Sequence, residues 1–237
     1  MPQTLDNKTK SGEPLDETRP VGPQLFLRLR DRIIRGELEP GTRLSEVDIA
    51  SAYGTSRQPV REAFIKLSEA ALIDVRPQRG SFVSPIDIAS VLAAQFVREA
   101  VEADIVNAVV ERANNTMLQE LDAILTLQSN AINITDPHPF MVQDEAFHRK
   151  LAECAGQDAS WDFLQPLKTQ MDRVRHLSAR QFPREILLAQ HRQIVDAIKS
   201  GDASVAEQNM RIHLRRILED LHTVAASKPS HFVSGRA

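Results

Sequence analysis

Residues Ser56–Leu67 read SRQPVREAFIKL, and this stretch predicts a short helix with two different faces. Ser56 suits the N-cap position, and Pro59 falls in the first turn, where its missing N–H costs no hydrogen bond. Apolar residues recur at spacings of three and four, which places them on one side of the helix. The apolar residues are Val60, Ala63, Phe64 and Leu67, and the polar residues away from them are Arg57, Gln58 and Arg61. The polar side therefore predicts a contact surface.

Two further helices precede this one. The first runs from Pro23 to Gly36 and carries its own apolar stripe. The second starts at Ser45, whose spacing to Asp48 resembles a capping box with Asp in the place of the usual Glu. Gly54 then turns the chain into the Ser56 helix. Two short helices joined by such a turn predict a helix-turn-helix unit, whose second helix can enter the major groove of DNA.

A hairpin is predicted directly after the helix-turn-helix. The segments LIDVR and SFVS are strand-like, and Pro77–Gly80 lies between them. Arg79 and Gly80 fall at the tip, where glycine permits close approach of the backbone to a phosphate. Such a hairpin can lie as a wing against the DNA backbone or minor groove. Residues 21–85 are therefore predicted to form a winged helix-turn-helix with three helices and a two-stranded wing.

The segment from Leu44 to Val83, LSEVDIASAYGTSRQPVREAFIKLSEAALIDVRPQRGSFV, closely resembles the DNA-binding domain of GntR-type bacterial transcription regulators. The core TSRQPVREA and the downstream wing RGSFV carry the resemblance. Arginine offers a planar fork that suits guanine, and glutamine suits adenine. The alternative for each arginine is a solvated surface charge. The resemblance implies that operator bases or phosphates are contacted by Ser56, Arg57, Gln58 and Arg61, and that Arg79 and Gly80 place the wing tip.

Length and composition favour a second, larger domain. The chain has 237 residues, 42% of them hydrophobic, and only nine glycines, which is typical of a largely helical protein of about two domains. No apolar run is long enough to span a membrane, and the N-terminus lacks the apolar core of a signal peptide. We therefore expect a cytoplasmic protein with no membrane partner. Residues 1–20 are expected to form a disordered arm and residues 228–237 a flexible tail.

The second domain, residues 86–227, is predicted to be an antiparallel all-α bundle. Its amphipathic segments predict six helices, at residues 87–112, 116–133, 139–155, 159–180, 184–199 and 202–225. The fold class is therefore mainly α, with an N-terminal winged helix-turn-helix and a C-terminal bundle. In a bundle, functional sites form from side chains on facing helices.

Four polar residues of the bundle lie on the apolar faces of their helices. Asp144 and His148 are one turn apart beside Phe140, Phe147 and Leu151, while His191 and His213 interrupt two other apolar stripes. Unpaired polar groups in a core are costly, and a metal ion removes that cost. The alternative is that each histidine is a core residue bonded to a neighbour. An Asp and three His suit a divalent metal; we expect Zn first, with Ni, Mn, Fe or Co as alternatives.

The segments DEAFH, QHRQIVDAI and MRIHL resemble the ligand segments of the FCD effector domain in the FadR subgroup of GntR regulators. The resemblance implies a divalent metal held by Asp144, His148, His191 and His213, with room for an effector beside it. Six helices would match the shorter, VanR-like form. Arg98 lies at the position of an FCD arginine that meets an acidic effector, and it suits a carboxylate. The alternative is a salt bridge to Glu102, four residues on.

Together these patterns predict a transcription regulator, acting as a repressor by resemblance, that binds a palindromic operator as a homodimer and responds to a small carboxylate. The dimer follows because one winged helix reads only a half-site. The alternative from another class is a metal-dependent enzyme fused to a DNA-binding domain. The chain has no HExxH motif and no glutamate placed as a general base, so we predict that it is not an enzyme and has no catalytic residues.

Overall fold

The computed structural model describes residues 14–234, and this part of the chain is mainly helical, as predicted. It forms two compact units: an N-terminal unit, residues up to Asp87 together with those from Lys228 onward, and a helical bundle, Ile88–Ser227. Residues 1–13 of the expected disordered arm and residues 235–237 of the expected tail lie outside the described residues. No helix within residues 14–234 is long and apolar enough to cross a bilayer.

The helices and strands follow in chain order. The helices are α1 Val21–Ile34, α2 Glu46–Ala52, α3 Arg57–Glu69, α4 Ile88–Arg112, α5 Asn115–Asn130, α6 His138–Ala155, α7 Asp158–Leu167, α8 Thr169–Gln181, α9 Glu185–Ser200 and α10 Ala203–Ser227. The strands are β1 Arg43–Leu44, β2 Ile73–Arg76, β3 Gly80–Val83, β4 Ile86–Asp87 and β5 Phe232–Val233.

Three helices and a small sheet build the N-terminal unit. The helices pack around one apolar core, formed by Leu25, Leu29, Ile33, Ile49, Val60, Phe64 and Leu67 among others. The N-caps of α2 and α3 differ in their hydrogen bonds. The Ser45 hydroxyl accepts a bond of 3.3 Å from the amide of Asp48, whereas Ser56 occupies the N-cap of α3 without a side-chain cap bond. Ser56 therefore starts the helix through its extended backbone, and its hydroxyl is left for other contacts.

The wing has three strands, in the order β1-β3-β2, so the expectation of a two-stranded wing is wrong by one strand. Strand β1 runs antiparallel to β3, with Arg43 opposite Phe82. The backbone of Thr42 accepts a bond of 2.9 Å from the amide of Val83. Leu44 is buried in the core, and this apolar anchor holds the short strand in place although its two residues alone give no strand pattern.

The segment after the bundle is not a free tail over its described part. Pro229–His231 forms one turn of 3₁₀ helix, and β5 pairs in parallel with β4, placing Ile86 opposite Phe232. Ladder hydrogen bonds of this kind order a backbone that carries little apolar sequence signal. The described tail residues therefore return to the strand that precedes α4.

Every residue of the bundle is described, and it forms seven helices, so the expectation of six is wrong. The predicted helix 159–180 is two helices, α7 and α8, separated at Lys168. Pro166 lies in the last turn of α7, and a proline removes an amide donor and crowds the carbonyl of the preceding turn. The bundle core contains Leu121, Phe140, Phe147, Leu151, Trp161, Ile194, Val195 and Met210.

Candidate metal centre and nucleic-acid interface

The four predicted metal ligands meet in the bundle core. Helix α6 supplies Asp144 and His148 one turn apart, α9 supplies His191, and α10 supplies His213. One potential ligand atom from each lies within 4.8 Å of all the others. The Nε2 atom of His213 is 3.1 Å from the Nε2 atoms of both His148 and His191. All four residues are buried, so the structure brings the predicted set together in one water-poor pocket.

The other ring nitrogen of each imidazole faces an oxygen atom. His148 Nδ1 lies 2.5 Å from a carboxylate oxygen of Glu102, and His191 Nδ1 lies 2.9 Å from the amide oxygen of Gln128. His213 Nδ1 lies 3.1 Å from the amide oxygen of Gln190. Each ring can donate a proton from Nδ1 to the facing oxygen, and its Nε2 atom is then available as a metal ligand.

With the protons on Nδ1, the three Nε2 atoms face one another as potential metal ligands. Burial lowers the pKa of His191 to about 3, and it lowers the pKa of His213 well below its ordinary value, so both rings are neutral at neutral pH. Oxygen Oδ1 of Asp144 faces the same space and has no hydrogen-bond partner among the described residues. Converging lone pairs repel one another unless a cation lies between them. The donor set therefore fits a divalent metal ion.

A largely buried arginine supports the aspartate ligand. Arg175 on α8 donates from Nη2 to Oδ2 of Asp144, and its Nη1 lies 3.2 Å from Asp172. Burial by itself raises the pKa of Asp144, but Arg175 and the nearby imidazoles outweigh it and hold the pKa far below its usual range. The carboxylate is therefore ionised, which is the form that binds a metal.

A cavity of about 40 Å³ adjoins two of the four proposed ligands, Asp144 and His213. Its lining includes Asp144, His213, Arg98 and Arg175. Arg98 is buried and pairs with Glu102, which was the alternative to an effector contact, yet its Nη2 atom has no hydrogen-bond partner among the described residues. The two predictions for Arg98 are thus compatible, because one edge of the guanidinium is paired while another nitrogen is available in a cavity wall.

A second cluster of polar side chains, Ser178, Arg216 and Asp220, lines the same cavity. The Ser178 hydroxyl donates to one carboxylate oxygen of Asp220, and Arg216 donates to the other over 3.1 Å. Met141, Leu187, Leu214 and Ile217 complete the apolar part of the wall. The cavity therefore combines an apolar wall with charged groups of both signs, which can fix the orientation of a small molecule.

Sequence reasoning missed several of the groups that support the site. Gln128 is fully buried and continues the stripe of Leu121 and Leu125, so a polar residue in an apolar stripe was the available signal. Arg175 had no such signal, because α8 contains many polar residues and the structure buries most of them together with its apolar residues. Its role depends on a contact across 31 residues of sequence.

The predicted DNA-contacting residues lie on one exposed part of the N-terminal unit. Ser56, Arg57, Gln58 and Arg61 are exposed at the start and along the outer face of α3. Between the side chains of Arg57 and Arg61 lies Glu46 of α2, which contacts both guanidinium groups. The α3 surface is therefore open to a partner rather than packed against the unit's own core.

The wing tip has the predicted backbone freedom. Arg79 is exposed, and Gly80 has a φ of +102°, a conformation that favours glycine. A Cβ atom at position 80 would lie 3.2 Å from Nε of Arg43, so the glycine also makes room for an arginine beneath the tip.

Comparisons with known proteins agree with this architecture. Residues 23–83 match the family described as bacterial regulatory proteins, gntR family, and residues 94–216 match the FCD domain. The chain is 36% identical over 219 residues to the HTH-type transcriptional repressor RspR of Escherichia coli (strain K12), covering 92% of this chain and 96% of that protein.

Two solved structures are similar over most of the chain. One, described as a GntR transcriptional regulator from Rhodococcus sp. RHA1, has a TM-score of 0.70 and 29% identity, covering 85% of this chain and 97% of that one. The other, E. coli McbR/YncC, has a TM-score of 0.73 and covers 86% of this chain and 97% of that one. At 19% identity the second likeness is one of fold alone.

Proposed function

Because this chain belongs to the gntR family of bacterial regulatory proteins, carries an FCD domain and is a transcription regulator, we propose that it acts as an effector-controlled repressor. In this proposal a homodimer binds a palindromic operator through α3 and the wing. A small carboxylate binds in the bundle beside a divalent metal and changes the affinity for DNA. A protein of this kind acts on the chromosome, so its proposed location is the cytoplasm.

The observation that carries the proposal is the convergence of three imidazole Nε2 atoms and Asp144 next to a cavity. Charge adds a further argument. The buried carboxylates around the site pair with arginines, in the pairs Asp144–Arg175, Glu102–Arg98 and Asp220–Arg216. A divalent ion would add two positive charges to these pairs, and the carboxylate of Asp172, which also contacts Arg175, offsets only part of them because Lys168 pairs with it. Burying such charge is unfavourable unless an anion accompanies it, so the metal itself favours a carboxylate ligand.

The size of the cavity limits the effector. A volume of about 40 Å³ accommodates only a few water molecules. The effector is therefore a small acid, or its binding moves the helices that line the cavity. Arg98 on α4 and Asp220 on α10 lie in helices that are joined along the chain to the strands β4 and β5 of the N-terminal unit. Such a shift can change how the two winged helix-turn-helix units of the dimer bind the operator. A coupling free energy of 1–3 kcal/mol between the effector site and the DNA site changes the affinity for DNA about 5- to 150-fold.

An exposed apolar face on α4 supports the homodimer. Phe96 is 75% exposed, and Leu92 and Val97 are 46% and 37% exposed. Ala93 and Ala100 lie on the same face, so its exposed residues from Leu92 to Ala100 are uncharged, and Asp104 follows one turn later. A contiguous apolar face of this kind marks a protein interface, and a second copy would let two winged helices read both halves of a palindrome.

The test is a DNA-binding titration of the zinc-loaded protein with a panel of small carboxylic acids. The operator probe is a duplex that the wild-type protein selects from a random-sequence pool, and fluorescence anisotropy measures its Kd. We expect the selected sequence to be palindromic and at least one acid to weaken binding at least fivefold. The Arg98→Lys variant keeps the charge but loses the planar fork, so it should bind the duplex normally and respond more weakly to the acid.

Two results would contradict the proposal. Selection of a sequence without two-fold symmetry would exclude binding of the operator by a symmetric homodimer. An unchanged Kd across mono-, di- and hydroxy-carboxylates, with zinc present, would exclude acid control. The alternative of a metal-dependent enzyme is set aside, because the family and its named relative are transcription regulators.

A further inference from the structure

A single carboxylate links the two arginines that are proposed to contact the operator. Glu46 is the first residue of α2, and its side chain reaches α3. One carboxylate oxygen, Oε2, accepts bonds of 3.0 Å from Nη2 of Arg57 and 3.3 Å from Nη2 of Arg61. The other oxygen, Oε1, accepts a bond of 3.3 Å from Nε of Arg61. The carboxylate therefore bridges both guanidinium groups.

We propose that Glu46 is a positioning residue for operator recognition: it holds Arg57 and Arg61 in the orientation that reads bases and thereby raises the preference for operator over other DNA. The inference rests on the proposed DNA contacts of these two arginines. Glu46 itself does not touch DNA in this proposal. It acts through the geometry of the two side chains that do.

The bonding pattern leaves the reading edge of Arg61 available. Glu46 takes the edge of the guanidinium formed by Nε and Nη2. The opposite end, formed by Nη1 and the second hydrogen of Nη2, keeps its donors. That end presents two parallel N–H groups, which is the arrangement that binds O6 and N7 of guanine together. Glu46 can therefore stay bound to Arg61 while the arginine contacts a base.

Stability gives no sufficient reason for this bridge. The side chains of Arg57 and Arg61 are 61% and 58% exposed, and exposed ion pairs contribute little to folding. Recognition is different, because a long arginine side chain that is free in solution must lose rotamer freedom when it contacts a base. A carboxylate that fixes the side chain beforehand removes part of this loss.

The negative charge of Glu46 also raises the preference for operator, because it weakens binding to other DNA. Non-specific binding depends almost entirely on phosphate contacts, and a carboxylate close to two arginines weakens the attraction of both for phosphates. Specific binding recovers this loss through base contacts in the correct geometry. The bridge should therefore lower non-specific affinity and favour operator affinity at the same time.

The experiment compares the wild-type protein with Glu46→Gln in full-length form. Anisotropy titrations measure Kd for the operator duplex selected by the wild-type protein and for a scrambled duplex of equal length and composition. The neutral amide in the Glu46→Gln variant cannot bridge two guanidinium groups as an ionised carboxylate does. We expect the ratio of scrambled to operator Kd to fall about tenfold, the size of one good bidentate base contact.

Asp48→Asn is the matched control. Asp48 lies in the first turn of the same helix, is exposed, and carries the same charge, so this variant reproduces the loss of charge and the change at the helix N-terminus. It should tighten binding to both duplexes equally and leave their ratio unchanged. Thermal melting of both variants shows whether they fold as the wild type does.

The outcomes separate this inference from the proposed function. Loss of operator binding in Arg57→Ala and Arg61→Ala, together with an unchanged ratio in a folded Glu46→Gln protein, would overturn the positioning role alone. Unchanged operator binding in the two arginine variants would overturn the proposed DNA contacts themselves. An Asp48→Asn ratio that falls as far as that of Glu46→Gln would also refute the positioning role, because charge alone would then explain the effect.

Discussion

Arg61 in the N-terminal unit and Arg175 in the bundle both pair with carboxylates, but their surroundings differ. The side chain of Arg61 is 58% exposed and that of Arg175 only 11%. Glu46, the partner of Arg61, is partly exposed, whereas Asp144, the partner of Arg175, is fully buried. Water screens the first pair and is excluded from the second.

The exposed charges are therefore suited to binding a partner, and the buried charges support the fold and the candidate metal centre. In the N-terminal unit Arg57 and Arg61 contribute little to folding and are available to a partner, so their removal should affect DNA binding and leave the fold intact. In the bundle the buried carboxylates of Asp144 and Glu102 are paired with Arg175 and Arg98, so removing one of these groups changes folding, metal binding and effector response together. Four measurements, from the largest expected effect to the smallest, test this contrast.

The largest effect is expected for Arg175→Met in metal-free protein. The substitution leaves the buried Asp144 carboxylate without its arginine, and breaking a buried pair in this way costs about 3–5 kcal/mol. Urea unfolding followed by the fluorescence of Trp161, the only tryptophan, reports on the bundle. The comparison variant Arg61→Met should lose less than about 1 kcal/mol. Equal losses in the two variants would remove the contrast.

The second-largest effect on stability is expected for metal binding to the bundle. Zinc at about one hundred times its Kd should stabilise the folded protein by about 2.7 kcal/mol, because the converging nitrogens exist only in the folded state. Calorimetric melting with zinc and with a chelator measures this shift. His213→Ala should abolish most of it, and His222→Ala, an exposed histidine on the same helix, should leave it unchanged. A full shift in His213→Ala would exclude that residue as a ligand.

Acid should destabilise the metal-free bundle. Burial lowers the pKa of His191 from 6.5 to about 3, so between these values the unfolded state binds more protons than the folded state. The contribution of neutral His191 to the free energy of unfolding is therefore fully present above about pH 6.5 and is lost as the pH falls toward 3. From pH 7 to pH 5, His191 alone should cost about 2 kcal/mol. Urea midpoints of His191→Gln should be less sensitive over the same range, and an equal slope would contradict the assignment.

The smallest effect on folding, and a clear one on DNA, is expected for Arg61→Ala. Loss of one bidentate base contact should weaken operator binding by about 1–3 kcal/mol, while the melting temperature changes little because the side chain is exposed. Anisotropy with the selected operator and thermal melting measure the two quantities. Lys66→Ala, which removes an exposed charge further along α3, is the control and should weaken binding less.

Local patterns predicted much of the architecture. The stripe of Leu25, Leu29 and Ile33 predicted α1, and the spacing of Ser45 to Asp48 predicted the capped start of α2. The break at Lys168 was missed although Pro166 was visible in the sequence, because the apolar pattern continues on both sides of it. The third wing strand was missed because two residues carry no periodicity, and β1 is defined only by its partner β3.

The sequence by itself determined the helix-turn-helix, the helical class of the larger unit, and the inward direction of Asp144, His148, His191 and His213. These features depend on neighbours three or four residues apart, and helical periodicity fixes which of them share a face. The family-typical segments of the sequence added the expected roles of these residues.

Only the tertiary structure decided which atoms meet. It placed Arg175 on Asp144, Gln128 on His191, and Glu46 between Arg57 and Arg61. Each of these contacts joins different helices, so no local period encodes it. The packing of the helices brings such groups within bonding distance, and burial then decides whether the contact supports the fold or remains available to a partner.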